Sequence, residues 1–360
     1  MTRATSAFLD VLRLGAAFTV FLAHTVLYWN PRLVASIQVA AHDAVIVFFV
    51  LSGYVIVQTT HGRCRSPRDY VVARLSRLYS VVVPALLLTA VLWPLGSDLD
   101  PALYSQYARG GTSWRYLLTF LHLNETWFFD AYPPSNTPFW SLGYEAWYYV
   151  LFGVAWFVKR PKLRWSLLVV CALAAGPKVL LLLPVWLLGA AACFWRERLV
   201  VARNVAVAGF VFSLGATLAA MLWLPDWPQG VGSRPWFFSG AALTDFITSI
   251  GWAAMIWFFH RAFGQIALPE RAHRVVRWSA NHTFSLYLYH APLVIFATAL
   301  VPPLGMGMVM GAIVMGIILL VIIALGAFTE AQRPRWQRLF GWAWDIFVSR
   351  TGATASGRQI

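Results

Sequence analysis

Residues 306–328 read MGMVMGAIVMGIILLVIIALGAF, 23 positions without a charged side chain. In hydrocarbon every backbone N–H and C=O must bond within its own segment, which leaves the α-helix for a run of this kind. About 20 apolar residues suffice to cross the bilayer core. Nine further stretches share the pattern, near 8–29, 42–58, 78–94, 138–158, 165–176, 179–195, 205–224, 241–260 and 279–301. The expected fold is therefore all-α, a polytopic membrane protein with about ten transmembrane helices. The fifth and sixth stretches are short and are divided only by Gly176, Pro177 and Lys178.

Composition agrees with a membrane protein. The chain is 59% hydrophobic and 12% charged, where soluble domains carry ~25% charged residues. A net charge of +14 would suit nucleic acid, but the placement of the charge points elsewhere. With the first residues inside, 22 of the 28 Lys and Arg residues fall on one side and 5 on the other, with Arg13 inside the first span. Such a bias sets orientation, so both termini are expected in the cytoplasm and no nucleic acid is expected as a partner. Three cysteines without a CxxC give no disulfide framework. The eight histidines lack metal-ligand spacing, so no metal is expected. Asp10 and Arg13 would fall in the apolar region of a signal peptide, so the first segment is expected to stay in the protein. Residues 1–335 are read as the membrane domain and 336–360 as a cytoplasmic tail. The segment 95–137 is expected outside the cytoplasm, with 114–129 as an interfacial or re-entrant piece. Its aromatic residues suit either a headgroup belt or a sugar platform.

Several apolar stretches carry groups that lipid penalises, and such groups are usually functional. Arg13 and His24 are eleven positions apart, within about 20° of three full turns, so they share a helix face about 16 Å apart. Asp10 lies one turn before Arg13 and can pair with it. Glu145 lies about two turns into the fourth span and His290 in the middle of the ninth. Ser52 and Gly53 permit close helix packing. Arg74 and Arg77 stand one turn apart at the start of the third span, as anchors or as phosphate ligands.

Taken in order, the first-span Arg and His, FFVLSG (48–53), RLSR (74–77), WSLGYE (140–145) and SLYLYH (285–290) resemble the acyltransferase-3 family of integral membrane O-acyltransferases, over residues 8 to about 334. The resemblance implies an acyl-coenzyme A co-substrate, acetyl-CoA by family frequency, on the cytoplasmic side, with no permanently bound cofactor. It implies a carbohydrate acceptor reached from the other side, and a bacterial-type inner membrane. It also implies that Arg13 and His24 are needed for activity, with Arg74, Arg77 and Glu145 as further functional positions. Histidine suits the base for a hydroxyl proton. In this reading His24 is that base, Glu145 orients its imidazole, and Arg13, Arg74 and Arg77 hold coenzyme A phosphates. Ser52, His290 and Asp43 are the candidate substrate contacts. Where many relatives have a polar residue two before the paired Phe, this chain has Ile46, with Asp43 one turn earlier. Where relatives end the last span with Glu-x-Pro, Glu330 is followed by Pro only at position 334. A transporter or flippase for a glycan or lipid-linked sugar is the rival reading.

Overall fold

A computed structural model describes residues 1–29, 34–64, 66–196, 198–301 and 308–351. The described chain is helical, with no strand. The long helices are α1 (Arg3–Trp29), α2 (Val34–Arg63), α3 (Pro67–Leu99), α6 (Phe139–Phe157), α10 (Arg203–Trp223), α11 (Ala242–Phe263), α13 (Thr283–Leu300) and α14 (Met308–Glu330). Shorter ones fill the intervals: α4 (Pro101–Ser105), α5 (Thr112–Phe120), α7 (Pro161–Ala175), α8 (Pro177–Leu181), α9 (Leu183–Trp195) and α12 (Glu270–Asn281). A last helix, α15 (Arg333–Thr351), follows α14.

Seven of the described helices are long and apolar enough to cross a membrane, against the ten expected spans. The shortfall falls on the fourth, fifth and sixth stretches. The 19 residues of α6 are long enough, but Trp, Tyr and Glu145 dilute their hydropathy. With 15 and 13 residues, α7 and α9 extend only about 22 and about 20 Å, short of the ~30 Å core. Gly176 ends α7 at φ 85°, in the left-handed region, and its missing Cβ makes room for the backbone of Trp127.

That contact shows where the segment 112–138 goes. Residues 122–126 and 131–138 fold back among the long helices, while most of α5 and residues 127–129 stay exposed. The Tyr79 hydroxyl donates to the Phe120 carbonyl (2.8 Å), and Asn136 donates to Thr89 Oγ1 (2.9 Å) and the Leu288 carbonyl (3.1 Å). The Trp127 N–H bonds the Ala175 carbonyl at the tip of α7 (3.0 Å). Lys178, counted among the five cations on the outer side, is fully buried, with its Nζ 2.5 Å from the Glu125 carboxylate, which is also fully buried. Each charge is costly to bury alone, and each is the other's compensation.

A capping box sets the start of α3. Ser66 Oγ accepts from the Asp69 N–H, the Asp69 carboxylate accepts from the Ser66 N–H, and Pro67 opens the first turn. Arg74 and Arg77 therefore stand about two and three turns into the helix. Much of the expected tail is α15, which lies along α3 with Arg68 paired to Asp345 through two 2.8 Å bonds. Where α2 meets α9, a Cβ on Gly53 would strike the Trp186 carbonyl and one on Gly189 the Val50 carbonyl. The expected close packing at the SG pair is present.

Candidate active site

Bundle packing brings α1, α2, α3, α6 and α13 around a narrow slot of about 60 Å³ lined by Arg13, Arg74, Arg77, Ser52, Glu145 and Tyr287. A wider vestibule of about 520 Å³ shares Arg13 and Arg77 with it and is rimmed by His282, Glu330 and Arg333. The vestibule lies at the α12–α13 turn and the α14–α15 junction, on the face that carries most of the Lys and Arg residues.

Three guanidiniums converge here from two helices. Arg13 pairs with Asp10 at 3.7 Å, as their one-turn spacing predicts. Arg74 is buried, donates to Thr59 Oγ1 (3.0 Å), and lies 5.7 Å from the Tyr70 ring centre. Its Nε has no hydrogen-bond partner, so the fork has a donor to spare. Arg77 lines both the slot and the vestibule. Glu330 lines the vestibule and accepts from Ser285 (2.6 Å).

Glu145 Oε1 accepts from Ser52 Oγ at 2.5 Å and from the Tyr149 hydroxyl, one turn along the same helix. Ser52 in turn accepts from Trp186 Nε1 (3.2 Å). The expected carboxylate–imidazole pair between Glu145 and His24 is therefore not formed: the carboxylate is engaged by hydroxyls from α2 and α6, and His24 has other partners.

His24 Nδ1 lies 2.8 Å from the Val20 carbonyl one turn back. A carbonyl can only accept, so Nδ1 carries the proton and Nε2 keeps its lone pair. His290, expected as a substrate contact, is fully buried and uses its own Nδ1 on the Leu286 carbonyl (2.9 Å). Its bare Nε2 lies 3.3 Å from His24 Nδ1 as a second acceptor. Two acceptors thus hold the His24 ring in the tautomer a base needs.

The histidine pair does not line the slot. Tyr287 stands between, lining the slot, bonded to Ser141 (2.8 Å), with its ring 6.4 Å from that of His290. Asp43 is elsewhere, buried between two and three turns into α2, beside a His42 that pairs with Asp245 at 3.0 Å. Sequence reasoning did not single out Tyr149, Ser141 or Tyr287. Tyr149 is four residues after Glu145 and Tyr287 three before His290, spacings that share a helix face and were available as signals.

A comparison with protein families matches residues 6–329 to the profile of the acyltransferase-3 family, described as an acyltransferase domain. The chain belongs to the acyltransferase-3 family. The match spans nearly the whole acyltransferase, from the helix carrying Arg13 and His24 to the end of α14. The activity class is thus acyl transfer, in a multi-pass membrane protein. No curated protein and no solved structure gives a significant match to this acyltransferase.

Proposed function

We propose that this acyltransferase moves a short acyl group, acetyl in the simplest case, from acyl-coenzyme A to a hydroxyl of an exported glycan in a bacterial-type inner membrane. The observation that carries the reading is the convergence of Arg13, Arg74 and Arg77 on one slot whose roof, Tyr287, adjoins the His24–His290 pair. The vestibule faces the cytoplasm by the positive-inside rule. Its arginines suit the phosphates of coenzyme A, which they engage as planar forks. The pantetheine arm runs inward along α1. The slot's small volume favours a short acyl group.

His24 Nε2 takes the hydroxyl proton as the acceptor oxygen attacks the thioester carbon. The tetrahedral intermediate collapses with loss of the coenzyme A thiolate, which receives the proton. The Ser52–Glu145–Tyr149 cluster borders the slot, where its hydroxyls orient the thioester. The family assignment leaves the transporter reading without a specific observation in its favour.

The test uses purified protein in nanodiscs. Free coenzyme A released from acetyl-CoA is followed with a thiol reagent. Surface polysaccharide from cells with and without the gene is compared for O-acetyl proton signals. Thiol release that requires His24, together with O-acetyl signals that require the gene, is the expected result. Absence of thiol release from the wild type with any acyl-CoA would overturn the donor assignment.

A further inference from the structure

The α4–α5 loop, the start of α5, residues 128–130 and the loop between α10 and α11 enclose a shallow bowl of about 400 Å³, lined among others by Arg109, Trp114, Arg115, Asp130 and Arg234. The loop is well tied down. Gly232 N–H bonds the Phe237 carbonyl (2.9 Å), Gln229 N–H bonds the Gly240 carbonyl (3.0 Å), and Trp236 packs edge-on against Phe128.

The charge in the bowl does not balance. Asp130 is its only lining carboxylate and is already bonded to Arg109 at 2.8 Å. Arg115 gives Nε to the Gly110 backbone carbonyl and Nη1 to that of Asp130, both at 2.8 Å, with its other Nη still a donor. Those bonds fix the guanidinium in place without neutralising it. Partial burial lowers the Arg115 pKa, and the like charge of Arg109 lowers it further. Arg234 adds a third cation from the opposite wall. The lining therefore carries three positive charges and one negative, which leaves room for an anion.

Flat apolar faces accompany the cations. Arg115 lies 4.9 Å over the Trp114 ring and Arg109 4.2 Å over Tyr132. Phe128 and Phe129 are about half exposed, at 45% and 54%. An aromatic row then leads inward. Tyr132 packs on Phe238 (6.3 Å), Phe238 stacks on Trp140 (4.2 Å), and Trp140 is followed by Ser141, which bonds the slot's roof at Tyr287.

We propose that this bowl binds an anionic glycan, one whose sugars carry carboxylate or phosphate groups, as the landing site of the acceptor. Arginine forks pair with the acid while ring faces take the apolar faces of the sugars. The proposal rests on the reading that the acceptor is a glycan arriving from the face opposite the vestibule. It narrows that glycan to an acidic one.

Binding is measured without any donor, so its outcome is independent of whether acyl-CoA is the co-substrate. Protein in nanodiscs of zwitterionic lipid is titrated with an oligogalacturonate hexamer and with maltohexaose, read by intrinsic Trp fluorescence. The expected result is at least about tenfold tighter binding of the uronate, a factor that one charge-assisted hydrogen bond can supply. Arg234→Gln should weaken uronate binding about tenfold, Arg234→Lys should restore part of it, and Trp114→Ala should cost about threefold. Equal affinity for the two sugars overturns the proposal, as does Arg234→Gln binding the uronate like the wild type. Loss of uronate binding when phosphatidylglycerol is added to the nanodisc assigns the bowl to a lipid headgroup and also overturns it.

Discussion

His290 Nε2 lies 3.3 Å from His24 Nδ1, although 266 positions separate the two residues in the chain. His24 thus has its proton fixed on the nitrogen that faces away from chemistry. On the proposed mechanism His24→Ala lowers kcat at least ~10²-fold, the lower end of general-base assistance. His290→Phe leaves the Val20 carbonyl as the one acceptor and is expected to lower kcat about tenfold with the acyl-CoA KM unchanged, because ring orientation is lost while donor binding is not. Thiol release at saturating donor measures both. Wild-type kcat in His290→Phe would reduce that residue to packing.

The arginines make a different forecast. Arg74→Lys and Arg77→Lys keep the charge but lose the planar fork. Each is expected to raise the KM for acyl-CoA about tenfold, leaving acceptor KM and membrane topology as in the wild type. Steady-state kinetics with donor and acceptor varied in turn separates the two constants. Normal donor KM in either variant would make that arginine an anchor.

Between α8 and the segment after α5, Lys178 and Glu125 form a fully buried pair. Removing one partner strands the other's charge, so Lys178→Met is expected to cost about 3–5 kcal/mol. The double change Glu125→Leu with Lys178→Met removes both charges and should recover most of that loss. Thermal unfolding in detergent shows whether it does. Equal destabilisation by the single and double variants would mean that packing, not the charge pair, holds the two segments together.

His122 supplies a pH dependence. Burial pushes its pKa from 6.5 down to about 4, offset in part by the Thr119 carbonyl. The unfolded chain therefore binds this proton more readily than the folded one. Stability is fully present above pH ~6.5 and falls as pH drops toward ~4, by about 3 kcal/mol from this site. Unfolding midpoints of the wild type between pH 7.5 and 4.5 should fall more steeply than those of His122→Phe. Parallel curves would exclude His122 as a source of acid sensitivity.

Much of this was legible in the sequence, for reasons that also mark the limit. Arg13, His24, Glu145 and His290 stood out because ionisable groups in apolar runs are costly, and helical spacing alone paired Asp10 with Arg13. The partners of Glu145 and His24 were not legible, because Ser52 and Glu145 are 93 positions apart and belong to different helices. Hydropathy also left the packing of residues 112–195 open. A run of Trp, Tyr and Phe reads alike whether it faces lipid, lines an open bowl or is buried, and Lys178 reads as a surface charge until Glu125 is placed beside it.

The ring of Tyr287 divides the slot from the histidine pair, and this has an electrical meaning. On the proposed orientation the vestibule and slot open toward the cytoplasm and share its potential, and the membrane voltage then falls mainly across the layer from Tyr287 outward. In the proposed reaction the acyl group crosses that layer as the equivalent of one positive charge, leaving a thiolate behind. Against an inside-negative potential that step alone costs ~2.3 kcal/mol per 100 mV. A hydroxyl proton passed inward from His24 to the thiolate carries the same charge back. The exchange is then electroneutral, and turnover does not depend on the voltage. A base that released its proton to the opposite side would instead make each acyl transfer work against the field.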